Sequence, residues 1–250
     1  MGIVNVTPDS FSDGGQFFRP EEAIRRAKNL IADGADIIDL GGESTRPGAT
    51  PLGWEEEWAR VEPVLAALAK LAKLDRLEGV RLSVDTYHPE TAARAIEAGA
   101  NIINCVYGEP VPEMLKLLEG NDAELVTPCR LSGEDVRRKA EDAGVASRLY
   151  LDPMIGFGTT REEDIVLLRS ISELATRGRV LVGASRKRIV KKLTGEKTTG
   201  KNLGGNLGIA VWAAMNGASV VRVHDVKETV QALKVIEELR GKSLELRVKR

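Results

Sequence analysis

The sequence is poor in several residue types that mark common protein classes. Its 250 residues include only 2 cysteines, and aromatic residues make up 4% of the chain. Cys105 and Cys129 are too few to build the disulfide framework of a small secreted protein, so the sequence predicts a reducing, cytoplasmic location. The scarcity of aromatic side chains argues against a protein that stacks the bases of single-stranded nucleic acid.

Excess charge and long apolar runs are also missing. Lys and Arg number 36 against 37 Asp and Glu, a net charge of -1, whereas a nucleic-acid-binding domain is usually basic. No run approaches the roughly 18 apolar residues that a membrane-spanning helix needs, and the N-terminus has no basic stretch ahead of an apolar core. We therefore expect neither a nucleic acid nor a membrane as a partner, and no secretory signal.

What the sequence contains is a regular alternation of short apolar runs with longer amphipathic stretches. The apolar runs predict strands at 3–6, 36–40, 81–85, 101–104, 124–127, 149–152, 180–183 and 219–223. The amphipathic stretches predict helices at 20–32, 54–74, 89–98, 112–119, 133–142, 161–176, 186–193 with 206–216, and 226–239. Strands that alternate with helices are typical of an α/β protein with a parallel sheet.

The number of strands favours one α/β architecture over another. Eight strand–helix units in 250 residues have the usual size of a single (β/α)8 TIM barrel, although a doubly wound open sheet gives similar joints. Glycine follows three predicted helices, at Gly34, Gly99 and Gly217, where a left-handed residue ends a helix at little cost. No Pro-rich or Gly-rich linker divides the chain, so we expect one domain over 1–250, with 240–250 as a candidate loose tail.

Polar residues end seven of the eight predicted strands. A single Asp at a strand end is more often a helix cap or a turn residue, but in a parallel barrel all these ends meet on the face that carries the active site. Burying a charge without a partner costs several kcal/mol, so their convergence predicts a site for a polar ligand. The residues are Asn5, Asp39, Asp85, Asn104 and Asp152, followed by Ser185-Arg186-Lys187 and Arg222-Val223-His224-Asp225.

Basic residues and two long loops refine this prediction. Arg222 and His224 are two residues apart and share a strand face, which favours an anion site over a structural histidine. Lys187 and Arg188 open a helix directly after a strand, which also indicates anion contact, although a solvated helix face is the plainer interpretation. The loops at 7–15 and 41–48 are rich in Gly, Ser and Pro and are too long for simple joints, so they are candidate lids.

These residues lie within segments that resemble the dihydropteroate synthase family in order and spacing, over essentially the whole chain. The matching segments are NVTPDSFSDGG, DLGGESTRPGA, SVDTYHPETA, LDPMIGFGTT, GASRKR and VRVHDV. The resemblance implies a pterin-binding (β/α)8 barrel. It also implies an alkyl transferase that joins dihydropterin-6-hydroxymethyl diphosphate to p-aminobenzoate, releasing diphosphate and forming dihydropteroate in folate biosynthesis.

The same resemblance implies a role for each matching residue. For the pterin, Asp152 accepts from N2 and N3, Asn104 and Asp85 pair with the rest of the ring edge, and Lys187 donates to the carbonyl or the N5 side. For the diphosphate, Arg222, which also covers the ring face, acts with His224 and Asn5, and Asn5 contacts the Mg2+ cofactor that rides on the diphosphate. For the arylamine pocket, the family pattern indicates Phe11, Thr45, Arg46 and Pro47.

The sequence departs from the family pattern at four places. Cys105 replaces a carboxylate after the strand-4 amide, Thr127-Pro128-Cys129 replaces a Met-His pair, and Thr159 replaces a Lys. Arg188 replaces a Ser that lies by the carboxylate of p-aminobenzoate. Three interpretations of Arg188 stay open: it binds the same carboxylate, it admits a larger anionic arylamine that is ribosylated and phosphorylated, or it points outward and contacts no substrate.

Two alternative functions stay open, and the resemblance also implies a homodimer. A pterin-dependent methyltransferase shares the barrel and the carboxylates, but it does not need the two long loops or the Arg222–His224 pair. A non-catalytic paralogue that binds pterin would explain the departures at strands 4 to 6. The family commonly forms homodimers through outer helices near the end of the barrel, and Trp212 and Met215 lie either on such a face or in the core.

Overall fold

The computed structural model places each predicted strand in a single parallel sheet. It describes residues 1–7, 19–44, 50–74, 77, 79–105, 111–129, 138, 141–142, 144–198 and 200–240. The strands are β1 (Gly2–Asn5), β2 (Ile37–Gly41), β3 (Arg81–Asp85), β4 (Ile102–Asn104), β5 (Glu124–Pro128), β6 (Leu149–Asp152), β7 (Arg179–Val182) and β8 (Val220–Val221). They lie in sequence order, each pairing with the next in parallel.

Backbone hydrogen bonds between the ends of the chain close this sheet into a barrel. The amide of Ile3 donates to the carbonyl of Val223 at 3.1 Å, and the amide of Val223 donates to the carbonyl of Met1 at 2.9 Å. A closed sheet has no free edge, so the predicted (β/α)8 barrel is confirmed.

Helices connect the strands on the outside of the barrel. They are α1 (Pro20–Ala32), α2 (Trp54–Lys73), α3 (Pro89–Glu97), α4 (Val111–Leu117), α5 (Arg161–Arg169), α6 (Ile171–Ala175), α7 (Arg188–Thr194), α8 (Leu203–Met215) and α9 (Val226–Leu239). Within the described ranges, no helix is long and apolar enough to cross a membrane. The left-handed glycines are confirmed, since Gly34, Gly99 and Gly217 have φ of 97°, 105° and 93°.

Several predicted boundaries were wrong. The predicted helix over 161–176 is two helices, because Ser170 interrupts it and its hydroxyl bonds the carbonyl of Val166 at 2.8 Å. The second strand runs on to Gly41, so Asp39 lies inside β2 and does not end it. The eighth strand has 2 residues, and the helix predicted from 186 begins at Arg188. Residues 138, 141 and 142 of the predicted helix over 133–142 are helical.

The alternation of side chains along each strand separates the outer core from the barrel interior. Leu40 of β2 and Val84 of β3 are fully buried in the core between sheet and helices. Ile102 and Val126 fill the interior together with other apolar side chains. At the amino end of the barrel, Glu124 pairs with Arg81 and Arg179. Since the middle of the barrel is filled and the amino end carries paired charges, the carboxyl end is where a ligand is expected to bind.

Candidate active site

The carboxyl ends of the strands bring most of the predicted polar residues together. Asn5, Asp85 and Asn104 are the last residues of β1, β3 and β4. They lie at one level of the sheet, because Gly41 pairs with both Asn5 and Asp85, and Asp85 pairs with Asn104. Asp152 ends β6. The predicted convergence of polar strand ends is therefore present in the fold.

Arg222 is the cation at the centre of this group. Its Nε donates to Asp39 Oδ2 at 2.6 Å, and its Nη2 donates to Asp85 Oδ2 at 2.6 Å. Burial lowers the pKa of Arg222, but the charges of Asp39 and then Asp85 outweigh burial and hold this pKa above its ordinary value. Three of the five guanidinium N–H groups are not used in these two bonds, so they can serve an anionic ligand.

Asp39 is a site residue for which the sequence motifs predicted no role. Its side chain is fully buried, and it accepts from Ser83 Oγ at 2.6 Å and from Asn104 Nδ2 at 3.1 Å in addition to Arg222. The available signal was the alternation of the strand: Asp39 is two residues before Gly41 and therefore shares its inward face. Asp39 thus fixes both the cation and the amide of the site.

Asn104 retains an unused acceptor. Its Nδ2 is committed to Asp39, while its Oδ1 is buried and has no hydrogen-bond partner among the described residues. Nearly all buried polar atoms in folded proteins are paired, and an unpaired one costs about 1–3 kcal/mol. This orphaned oxygen therefore indicates a ligand that donates a hydrogen bond at the end of β4.

Asp152 and Lys187 form the second half of the site. Asp152 Oδ1 accepts from the amide of Met154 at 2.7 Å, and burial raises the pKa of this carboxyl group. Lys187 Nζ donates to the carbonyl of Ile155 at 2.7 Å and lies 4.0 Å from the ring centre of Phe157. Burial lowers the pKa of Lys187 to about 8, although the charge of Asp152 opposes this.

Gly183 joins the two halves of the site. A Cβ atom at this position would lie 3.8 Å from the side chain of Arg222 and 4.0 Å from Asp152 Oδ2. Arg222 and Asp152 therefore flank the same residue at the end of β7, and one ligand can contact both. The pKa of Asp85 is raised to about 7. Burial is the largest cause, Arg222 lowers this pKa, and the carboxylates Asp39 and Glu57 raise it.

His224 is oriented by a serine for which the sequence motifs also predicted no role. Ser185 Oγ lies 3.0 Å from His224 Nδ1 and accepts from the His224 amide at 3.3 Å. This contact fixes the orientation of the imidazole ring. The next residue, Arg186, has φ of 61° and is held there by Asn206 Oδ1 on its amide and Asp225 on its guanidinium.

Arg188 and the two cysteines take no part in the contacts described above. Arg188 is exposed at the start of α7 and makes no hydrogen bond or ion pair to the described residues. Both cysteines are buried and neither is in a disulfide. Burial raises the pKa of Cys105 to about 12, which keeps it a neutral thiol. The predicted arylamine residues lie outside the described residues: Phe11, Thr45, Arg46 and Pro47.

The donors at this end of the barrel suit a Mg2+ ion that is bound mainly by substrate. Within the described ranges, no group of three or more His, Cys, Asp or Glu side chains could hold a metal. Asn5 is partly exposed at the end of β1, beside Gly41. Mg2+ often takes one or two protein oxygens and completes its shell with water and substrate phosphates. The amide oxygen of Asn5, which lies beside Gly41 near Asp85 Oδ2, fits that arrangement.

Comparison with known proteins places this geometry in a family. The family model of pterin binding enzymes matches residues 1–128 and 130–224. The dihydropteroate synthase of Escherichia coli K12 is 41% identical over 261 residues, covering 95% of this chain and 90% of the relative. That of Staphylococcus haemolyticus is 38% identical over 258 residues, covering 96% and 94%.

Solved structures agree with this assignment. Xanthomonas albilineans dihydropteroate synthase with 4-aminobenzoic acid superposes with a TM-score of 0.87 at 37% identity, over 96% of this chain and 92% of that chain. The same enzyme in complex with 7,8-dihydropteroate gives a TM-score of 0.82 at 34% identity, over 96% and 93%. With the fold, the polar carboxyl end and whole-chain similarity in agreement, the chain belongs to the dihydropteroate synthase family of pterin-binding enzymes.

Proposed function

We propose that this chain condenses 7,8-dihydropterin-6-hydroxymethyl diphosphate with p-aminobenzoate to give dihydropteroate and diphosphate. The proposal rests on unused hydrogen-bond acceptors that lie at the same end of the barrel as a buried cation. Asn104 Oδ1 is buried without a partner among the described residues, and Asp152 and Arg222 flank Gly183. A pterin edge offers the donors, and a diphosphate offers the anion. The Xanthomonas albilineans enzyme, solved with 4-aminobenzoic acid and with 7,8-dihydropteroate, supports the same substrates.

The pterin would lie between the two halves of the site. Asp152 accepts from N2 and N3 in charge-assisted hydrogen bonds, which are about twice as strong as neutral ones. Asn104 contributes its orphaned Oδ1, since its amide nitrogen is committed to Asp39. Asp85 completes the ring edge, and Lys187 donates to the carbonyl or the N5 side. These contacts position the C9 carbon, which carries the diphosphate.

Departure of diphosphate is the step that the basic residues serve. The N–H groups of Arg222 that Asp39 and Asp85 leave unused, together with the imidazole of His224, stabilise the charge that develops on the leaving oxygen, in a site that needs little reorganisation. The amine then attacks C9, whose positive charge is stabilised by the electron-rich dihydropterin and the nearby carboxylates. No protein nucleophile is required, and Cys105, with its pKa raised to about 12, would not supply one.

Mg2+ is part of this proposal. When bound, it neutralises charge on the diphosphate, and Asn5 is the residue that would contact it. The amide of Asn5 is neutral, so it orients the metal–diphosphate unit without reducing the charge of the metal. A pterin-dependent methyltransferase and a non-catalytic pterin-binding paralogue are less well supported, because neither needs Arg222 and His224 to bind a leaving diphosphate.

Formation of dihydropteroate tests the proposal. Purified protein with Mg2+ and both substrates should form dihydropteroate, detected by chromatography and mass spectrometry, in proportion to enzyme concentration. Omission of p-aminobenzoate should abolish the product. Binding of the pterin substrate without any dihydropteroate would contradict the proposal and favour the non-catalytic paralogue.

Arg188 tests which arylamine is the acceptor. Because a charge-assisted hydrogen bond contributes about 1.5–3 kcal/mol, we expect Arg188→Ser to raise the KM for p-aminobenzoate at least tenfold, with the KM for the pterin unchanged. Lys192→Ser on the same helix, whose ammonium pairs with Glu162 at 3.0 Å, is the matched control. A larger loss with a ribosylated, phosphorylated aminobenzene would assign that compound as the acceptor. An unchanged KM for both amines would mean that Arg188 points outward.

We also propose that two chains form a homodimer through the outer face of α5, α7 and α8. Trp212 and Leu193 lie on this face and are 46% and 53% exposed, and Met215, three residues after Trp212 in α8, is 49% exposed. A groove of about 480 Å³ separates the three helices. Trp212→Glu should convert the dimer to monomer at micromolar concentration in sedimentation equilibrium. An unchanged oligomeric state, or a monomeric parent protein, would contradict this proposal.

A cytoplasmic location remains part of the proposed function. Cys105 and Cys129 are both free of disulfides, which fits the reducing compartment in which folate precursors would be condensed.

A further inference from the structure

The segment between β6 and α5 is anchored by one fully buried carboxylate. Asp164, in the first turn of α5, accepts at Oδ1 from the Gly156 amide at 2.7 Å and from Thr159 Oγ at 2.6 Å. Its Oδ2 accepts from Arg161 at 3.1 Å. We call Gly156, Thr159, Arg161 and Asp164 the Asp164 cluster. It ties the segment to the helix at two points.

The residues between and beside these anchors hold the ammonium group of Lys187. The carbonyl of Ile155 accepts from Lys187 Nζ, and the ring of Phe157 lies 4.0 Å from the same atom. Gly156 lies between them with φ of 79°, and a Cβ there would come within 3.0 Å of the Lys187 side chain. The contacts of Lys187 therefore alternate along the chain with the anchors to Asp164.

We propose that Asp164 is a positioning residue, which acts through Gly156 and Thr159 to keep the Ile155 carbonyl and the Phe157 ring in place around Lys187. What Lys187 does to a pterin rests on the proposed function. The position of its ammonium group does not rest on the proposed function, because each of these contacts is made between residues of the chain itself.

The bonds of Asp164 are not needed to cap the helix. Thr160 and Glu163 already form a reciprocal capping box, in which the Thr160 amide donates to Glu163 Oε2 at 2.7 Å and the Glu163 amide donates to Thr160 Oγ at 3.2 Å. The two bonds from Gly156 and Thr159 to Asp164 are therefore available to shape the preceding segment. Met154 at the start of that segment adopts φ of 64°, a left-handed conformation that is unfavourable for a residue with a side chain.

The charge of Asp164 and its positioning role predict opposite changes in the pKa of Lys187. Its ammonium group faces Asp152 on β6, Arg222 after β8, Asp85 on β3 and Asp164 on α5. Burial and the charge of Arg222 lower its pKa, and together they outweigh the three carboxylates, which raise it. Removing the Asp164 charge alone lowers this pKa further. Releasing the segment hydrates the ammonium group and raises the pKa from about 8 toward the ordinary 10.5.

Competitive acetylation of the ligand-free protein across pH, read by mass spectrometry at the Lys187 peptide, measures this pKa directly. We expect Thr159→Val and Asp164→Ala to raise it. Asp164→Asn should not raise it, because its amide oxygen keeps both acceptor roles. Glu163→Ala is the matched control, since it removes the capping box and lowers thermal stability without touching the Asp164 cluster.

A kinetic readout accompanies the titration. Thr159→Val and Asp164→Ala should raise the KM for the pterin substrate about tenfold, with a smaller change in kcat, and Asp164→Asn should restore the KM. An unchanged Lys187 pKa in Thr159→Val, or an equal fall in Asp164→Ala and Asp164→Asn, would overturn the inference. If no dihydropteroate is formed at all, the acetylation result still tests whether Asp164 positions the groups around Lys187. If Asp164→Ala does not fold, Thr159→Val tests the same point.

Discussion

Replacing Arg222 by methionine should reduce kcat/KM for the pterin substrate by about three orders of magnitude. Removing one donor that stabilises transition-state charge typically costs 10²–10³ in kcat, and Arg222 also fixes Asp39 and Asp85 at 2.6 Å each. Without the cation, two carboxylates are left close together, which further disfavours binding of a diphosphate. The affinity for free diphosphate should fall together with kcat, and product-inhibition kinetics measure it.

The same substitution should lower the free energy of unfolding by about 3 kcal/mol. Removing one partner of a buried ion pair typically costs 3–5 kcal/mol, and protonation of Asp85, whose pKa is already raised to about 7, offsets part of that cost. Urea denaturation measures the difference. Because loss of the Arg222 charge raises the pKa of Asp85 further, the loss of stability should shrink as the pH falls toward 7 and level off below 7, where Asp85 is neutral in both proteins.

Arg179→Met is the matched control for this prediction. Arg179 also pairs with a carboxylate inside the barrel, Glu124 at 2.6 Å, and its guanidinium lies 4.0 Å above the ring of Tyr150. It lies at the amino end of the barrel, so its loss should cost stability without a comparable loss of catalysis. Equal losses of activity in Arg179→Met and Arg222→Met would mean that the effect on turnover comes from the fold alone.

Asp152→Asn should weaken binding of the pterin substrate about 100-fold. A hydrogen bond to a charged acceptor contributes about 1.5–3 kcal/mol, and the amide NH2 of asparagine opposes one of the pterin donors. The fold should be preserved, because the asparagine oxygen can still accept from the Met154 amide, which donates to Asp152 at 2.7 Å. Isothermal titration with dihydropterin diphosphate measures the affinity.

Two comparisons define the specificity of the Asp152 effect. The affinity for free diphosphate should be unchanged in Asp152→Asn, in contrast to Arg222→Met, because Asp152 serves the ring edge. Glu124→Gln, which alters a carboxylate bound to Arg81 and Arg179 at the opposite end, should leave the pterin affinity near that of the parent protein. An undiminished pterin affinity in Asp152→Asn would place the pterin elsewhere.

Much of the fold could be predicted because its signals are local. Short β-rich runs, amphipathic spacing and glycines that end helices each depend on a few neighbouring residues. Eight repeats of that pattern in 250 residues match the usual size of a closed barrel. A polar residue at most strand ends then indicates which end of the barrel carries the active site. This is why the amino-acid pattern alone predicts Asn5, Asp85, Asn104 and Asp152 at one end of the barrel.

The internal organisation of the site could not be predicted, because it depends on contacts between distant parts of the chain. Arg222 binds Asp39 and Asp85, which are 183 and 137 residues away, and alternation alone does not say which carboxylates share a cation. Asp39 and Ser185 were predicted among the polar residues at this end, but their contacts were not. Asp39 binds side chains from other strands, and only the return of β8 to β7 brings His224 beside Ser185.

Release of diphosphate is the observation on which the proposed function depends. Purified protein is mixed with Mg2+ and dihydropterin-6-hydroxymethyl diphosphate, with and without p-aminobenzoate, and diphosphate and dihydropteroate are measured together. We expect the amine to drive release of both products in equal amounts, Arg179→Met to retain this activity, and Arg222→Met to lose it. No release with the amine present, or release that is equally fast in Arg222→Met, would contradict the proposed function.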